Sequence, residues 1–312
     1  MNHPARRLLT AALAGALLAS TAPAAFAQTA AAPAATPAPE PARPIRASKI
    51  ILVGDSTTQG GSGWGGRFCS DHVVSFVACI NLARGGRSTS NYRAEGSWDI
   101  ALAEMGSTTP SESRAYVDTW VLIQFGHNDQ PGKPGRSTDL ATEFPQNLRR
   151  YIAETRERGA IPVLVTPLTR RQFVDGKLDN DLEPWAAAVR AVAAETHTPL
   201  LDLNADSSAA VQAMGPSLAA GFAQSPPSPV VAAALLTGTT VPANTGAPVP
   251  PATTPAAAPA PAQNNAAVEP MGDAKLSFDY THLGPTGAAF FAAMVTRELA
   301  IAVPALRRSL IN

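Results

Sequence analysis

Charge is sparse in this chain and evenly split, with 24 Lys and Arg against 24 Asp and Glu in 312 residues. A nucleic-acid partner calls for a strong basic excess, so none is expected. Cysteine is scarcer still. Only Cys69 and Cys79 occur, which rules out a metal site of several thiolates but permits one disulfide in an oxidising compartment, where it would close a short loop. No repeat period appears, so an array of repeats finds no support. The apolar stretch near the start, Leu8 through Ala19, is short for a membrane span. It follows Arg6 and Arg7 and precedes the small-residue run Ala25-Phe26-Ala27, which is the build of a secretory signal over residues 1–27. The mature chain is then expected to begin near Gln28, to carry no stable membrane span and to be secreted or periplasmic. Retention of the segment as an anchor is the alternative.

Two segments lack what a core requires. Residues 28–46 are an Ala/Pro-rich linker, and residues 219–270 are rich in Ala, Pro, Thr, Asn and Gln with almost no charge or aromatics. Such composition cannot offset its ordering entropy, so 219–270 reads as a low-complexity, largely disordered and dispensable insertion, with a local helix conceivable only at "VVAAALLTG". The remainder, roughly 220 residues, is enough for one domain over 47–312 with a sizeable core.

Within that remainder, "SKIILVG" (48–54), "ACINLA" (78–83), "TWVLIQFG" (119–126), "IPVLVTP" (161–167) and "PLLDL" (199–203) are short, β-rich and almost continuously apolar. Strands buried on both faces of a parallel sheet read this way. Helical periodicity occupies 64–77, 140–158, 183–195 and 286–302. The alternation predicts an α/β three-layer sandwich around a mostly parallel five-stranded sheet, whose ligands bind beyond the carboxyl ends of the strands. Polar loops stand there: Gly54-Asp55-Ser56 after the first strand, Gly85-Gly86-Arg87-Ser88 after the second and Gly126-His127-Asn128-Asp129 after the third. Far downstream, "FDYTHLGPTGA" sets Asp279 three residues before His282, ahead of the last helix.

Ser56 in its Gly-Asp-Ser context, Gly86, Asn128 and the Asp279-x-x-His282 pair resemble, in order and in strand context, the SGNH or GDSL-type hydrolase family. "GGRSTSNYRAEGSWD" and "DYTHLGPTGA" are most similar to its rhamnogalacturonan acetylesterase branch, which deacetylates pectic polysaccharide. The resemblance covers roughly residues 48–215 and 276–302. It implies a flavodoxin-like fold, a nucleophile at Ser56, an oxyanion hole at Ser56, Gly86 and Asn128, and a base at His282.

The chemistry can be followed from the residues themselves. A serine hydroxyl is a weak nucleophile unless a base takes its proton. Of five histidines, His3 leaves with the signal, His72 falls in an expected helix, His197 precedes the last strand, and His127 should point away from Asn128. His282 remains, with Asp279 placed to hold its second ring nitrogen. Taken alone, an Asp-x-x-His turn could equally cap the helix that follows. Backbone N–H groups at Ser56 and Gly86 and the Asn128 amide could stabilise an oxyanion, although Gly86 alone reads as a turn glycine. Asp55 reads as a structural residue that aims Ser56, and Asp129 likewise. No cofactor and no metal are expected.

Trp64, Arg87 and Tyr92, with Trp98 and Arg170, lie on or near the rim loops, where aromatic and cationic groups suit an acetylated polysaccharide or oligosaccharide. The same residue types also serve as core packing and solvated surface. An esterase or lysophospholipase acting on acyl chains, and a non-catalytic glycan-binding envelope protein, are the alternatives.

Overall fold

The computed structural model describes residues 47–106, 116–246 and 276–311, all within one compact unit, Ile45–Asn312. The signal and linker expected over 1–46, and residues 247–270 of the expected insertion, lie outside the described residues.

Five strands form the central sheet: β1 (Ala47–Gly54), β2 (Ala78–Asn81), β3 (Tyr116–Gln124), β4 (Ile161–Val165) and, after the short antiparallel hairpin β5 (Phe173–Val174) and β6 (Lys177–Leu178), β7 (Leu200–Leu201). Their order is β2-β1-β3-β4-β7 and every pairing is parallel. The sheet is thus wholly parallel, where the sequence predicts a mostly parallel one. Side chains alternate across it. Ile50, Leu52, Trp120, Leu122, Val163 and Val165 enter one apolar layer, and Ile51, Val53, Val121, Ile123 and Leu164 enter the other. Both faces are dry, which explains the unbroken apolar runs.

The first layer is closed by α1 (Gly65–Asp71), α6 (Leu203–Ala219) and α8 (Pro285–Ala302), and the second by α2 (Asn91–Ala94), α3 (Ser97–Met105), α4 (Glu143–Glu157) and α5 (Glu183–Glu195). α6 is bent where Gly215 adopts φ 72° ahead of Pro216, since proline cannot continue the hydrogen-bond ladder. Cys69 on α1 and Cys79 on β2 are joined by a disulfide, with Cα atoms 5.5 Å apart.

Residues 219–246 depart from the sequence expectation. They hold a short 3-10 turn (Ala220–Phe222) and α7 (Pro229–Leu235), which starts at Pro229 behind a Ser228 cap and overlaps the "VVAAALLTG" stretch where the sequence allowed a local helix. Val231 and Leu235 are buried with Ala220 and Tyr280, and Phe222 joins the main core. Low average hydrophobicity had masked a few well-spaced apolar residues, and these suffice because they pack against a surface already formed.

Candidate active site

In an open parallel sheet the chain order reverses between β1 and β3, which leaves a crevice beyond their carboxyl ends. Residues 55–56 leave β1 and residues 125–129 leave β3 at that point. Gly54, the last residue of β1, has no room for a side chain: a Cβ there would stand 2.7 Å from the Gln124 carbonyl oxygen and 2.8 Å from Thr58 Oγ1. The turn that follows is built by Asp55. Its Oδ1 accepts from the Thr57 N–H at 2.8 Å and from Thr57 Oγ1 at 2.7 Å.

That turn brings Ser56 beside a histidine. Ser56 Oγ lies 2.9 Å from His282 Nε2, and His282 Nδ1 lies 2.7 Å from Asp279 Oδ2. The other carboxylate oxygen, Asp279 Oδ1, accepts from the Thr281 N–H at 2.7 Å and the His282 N–H at 2.6 Å. One carboxylate thereby folds the turn and orients the ring. Burial resists ionisation of Asp279, but its bond to His282 and that residue's charge outweigh the burial and hold its pKa below the usual carboxylate value. The two turns are also tied directly. Ser62 Oγ donates to the Ser56 carbonyl at 2.8 Å, and the Leu283 N–H donates to the Ser62 carbonyl at 2.8 Å.

Gly86 and Asn128 stand where their strands end. Gly86 has φ 76°, a left-handed conformation that favours glycine, and a Cβ on it would come within 3.1 Å of Arg136 Nη1. Arg136 thus brings a cation close to this turn, a residue the sequence reading did not single out. The Asn128 side chain donates from Nδ2 to the Arg87 carbonyl at 3.0 Å. An amide nitrogen carries two hydrogens, so this bond sets the plane of the group and uses only one of them.

Charges are buried behind the pair. Asp55 Oδ2 faces His127 Nδ1 at 3.4 Å. Burial of Asp55 opposes its charge, yet His127 and the Thr57 bonds keep its pKa below the usual value, while burial drives His127 downward against the pull of Asp55. Asp129 Oδ1 accepts from the Thr89 N–H, Thr89 Oγ1 and Thr138 Oγ1. Burial outweighs these bonds and raises its pKa to about 7.

The expected sugar contacts do not line the site. Trp64 is 0 % exposed, and its indole N–H donates to Gln124 Oε1 at 2.7 Å. Tyr92 is also 0 % exposed; its hydroxyl donates to the Leu82 carbonyl and its ring packs edge-on against Phe125. Arg87 is buried with Nε on both carboxylate oxygens of Glu95 and Nη1 on the Gly85 carbonyl. Trp98 is buried with its indole N–H on Glu154. These residues hold the rim loops in shape from beneath, because each has a large body to bury and a polar tip with an internal partner. Arg170 lines a groove of about 550 Å³ shared with Asp279, Thr281 and residues 240–243. There it bonds Gln130 at 2.8 Å and faces Asp181 at 3.5 Å.

Residues 52–225 match the model of the GDSL-like lipase/acylhydrolase family. A probable rhamnogalacturonan acetylesterase of Bacillus subtilis, YesY, is 37% identical over 157 residues, which are 50% of this chain and 66% of that protein. The rhamnogalacturonan acetylesterase RhgT of the same organism is 35% identical over 185 residues, 56% of this chain and 71% of that protein. The match therefore spans about two-thirds of the length of these relatives. The crystal structure of YxiM from Bacillus subtilis shares the fold at a TM-score of 0.55 and 21% identity, over 83% of this chain and 58% of that one. By the family match over residues 52–225, more than half of its length, and by these relatives, the chain belongs to the GDSL-like lipase/acylhydrolase family.

Proposed function

We propose that this protein is a serine esterase that removes O-acetyl groups from a polysaccharide such as acetylated pectin (rhamnogalacturonan). The observation that carries the chemistry is the relay from Ser56 Oγ through His282 to Asp279, at 2.9 and 2.7 Å. The substrate reading rests on the two relatives named as rhamnogalacturonan acetylesterases.

In the first half-reaction His282 Nε2 takes the Ser56 proton as Oγ attacks the acetyl carbonyl carbon. The tetrahedral oxyanion is met by the backbone N–H groups of Ser56 and Gly86 and by the second N–H of the Asn128 amide. Collapse breaks the bond to the sugar oxygen, which leaves with the proton held on His282, and Ser56 remains acetylated. Water then attacks the acetyl-serine with His282 again as base, and acetate departs as the proton returns to Ser56. Asp279 keeps the ring in the tautomer that accepts at Nε2 and offsets the imidazolium charge.

Export is part of the same proposal. The N-terminal segment has the build of a secretory signal, and the Cys69–Cys79 disulfide suits an oxidising compartment.

Acetate release from acetylated pectin, xylan and chitin, alongside p-nitrophenyl esters of increasing chain length, tests the reading. Acetate should be released from pectin, rates should fall as the acyl chain lengthens, and Ser56→Ala should abolish both activities. A rate that climbs with chain length would make the protein an acyl-chain esterase. Absence of turnover on every ester would make it non-catalytic.

A further inference from the structure

The turn Asp279-Tyr280-Thr281-His282 has its carbonyls on one side, and a single residue takes all four. The Arg171 N–H donates to the Tyr280 carbonyl at 2.9 Å. Its guanidinium donates from Nη1 to the Thr281 carbonyl at 3.2 Å, and from Nη2 to the carbonyls of Asp279 at 3.0 Å and His282 at 2.9 Å. Arg171 is 1 % exposed, among the largest fully buried side chains. It sits between β4 and β5, in a segment whose Thr169 N–H is held by Ser207 Oγ on α6.

We infer that Arg171 is a positioning residue for the acid–base pair, a guanidinium clamp that fixes the Asp279–His282 turn against the sheet so that His282 Nε2 stays in line with Ser56 Oγ. The inference rests on the roles proposed above for Ser56, His282 and Asp279.

Three considerations support it. First, burying a guanidinium is costly unless its donors are met and its charge is offset. Here Nη1 and Nη2 meet carbonyl dipoles while the buried Nε has no partner among the described residues, and the carboxylate of Asp279 supplies the opposite charge; burial lowers the Arg171 pKa to about 10 while Asp279 works against that fall. Second, the turn is held from opposite sides: its N–H groups at 281 and 282 go to the Asp279 carboxylate and its carbonyls to Arg171. The turn is thus fixed on its N–H side at 281 and 282 and on its carbonyl side at all four residues. Third, the fork of the guanidinium reaches three carbonyls at once, a task beyond the single ammonium of lysine. The neighbouring Arg170 is turned instead to Gln130 and Asp181.

The clamp matters to rate because reacting groups must be held to within about 0.5 Å of productive geometry, and an error near 1 Å costs about 10²-fold. The full chain carrying Arg171→Met or Arg171→Lys tests it with p-nitrophenyl acetate and with the rate of fluorophosphonate labelling at Ser56. In the Met variant kcat should fall by about 10² with KM within about twofold, and labelling should slow by a similar factor. The Lys variant, which keeps the charge but not the fork, should recover part of the rate and still turn over roughly tenfold more slowly than wild type. A merely structural arginine would lower Tm and leave kcat per folded, titrated site unchanged. A folded Met variant with wild-type kcat, or one whose whole loss lies in KM, overturns the inference. Should the Met variant not fold, the Lys variant decides, and wild-type kcat in it is fatal to the clamp. Labelling at Ser56 needs no sugar, so a wrong polysaccharide assignment shows in the wild type alone and leaves the labelling comparison intact. A wild type that is never labelled at Ser56 overturns the functional reading and the clamp together.

Discussion

Asn128 is the residue whose chemical identity matters most once Ser56 and His282 are in place. Its amide is held by the Arg87 carbonyl through one hydrogen, so the other is already oriented before any ester arrives and costs nothing to align during reaction. Asn128→Ala should therefore lower kcat by about 10² to 10³ with little change in KM, because the lost donor acts on charge present only in the transition state. Steady-state kinetics on p-nitrophenyl acetate checks this, and a change confined to KM would reassign Asn128 to ground-state binding. Ser56, His282 and Asp279 could be picked out together in the sequence because a serine, a histidine and a carboxylate in matching contexts form a set that is rare by chance, and because each followed a recognisable strand or preceded a recognisable helix. Trp64, Arg87 and Tyr92 were not legible as scaffold. Indole, guanidinium and phenol suit both a sugar and a buried contact, and which one applies depends on partners such as Gln124, Glu95 and Leu82 that only the fold brings near. Arg171 stayed hidden for the same reason: its partners are backbone carbonyls more than a hundred positions away in the chain, and a carbonyl leaves no mark on sequence.

At the scale of elements, the four long strands and the helices over 143–157, 183–195 and 285–302 could be read from continuous or periodic apolar character. The misses have physical causes. The expected helix over 64–77 stops at Asp71, and α2, α3 and α6 were not foreseen. α2 is only one turn long, and in α3 the N-terminal position is taken by Gly96 at φ 84° with no side-chain cap, so the usual start signal is missing. Where α1 ends, the disulfide takes over, joining Cys69 to Cys79 across ten positions of sequence. Closing a loop of that length stabilises by about 3 kcal/mol in the chain-entropy account. Replacing both cysteines by serine should lower Tm by about 6–12 °C, measured by thermal unfolding without reductant. Unchanged Tm would mean that α1 and β2 are held by packing alone.

The molecule as a whole is shaped by a segment that composition had set aside. Residues 226–246 lie past the family match at 52–225, and the stretch that leads into them is bonded next to both turns. The Gly284 N–H donates to the Phe222 carbonyl at 2.8 Å, and Gln224 Nε2 donates to the Gly61 carbonyl at 3.1 Å. Further along, Tyr280, in the middle of the Asp279–His282 turn, buries its ring against Val231 and Leu235 and donates its hydroxyl to the Val241 carbonyl at 2.7 Å. Arg171 thus holds that turn by its backbone and α7 with its tail holds it by a side chain. Loop length itself is cheap, at about 0.6 kcal/mol per doubling; burial is not, since each large apolar side chain lost from a core forfeits about 1.5–3 kcal/mol. Replacing residues 229–243 by a short Gly/Ser linker should therefore lower Tm and cut kcat on p-nitrophenyl acetate at least tenfold, whereas the same replacement of 247–270 should leave both nearly unchanged. Tyr280→Phe, which keeps the ring and loses the bond to Val241, should fall between them. Full activity and unchanged Tm after removal of 229–243 would show that the turn is held without α7, and would leave Arg171 and Asp279 to hold it.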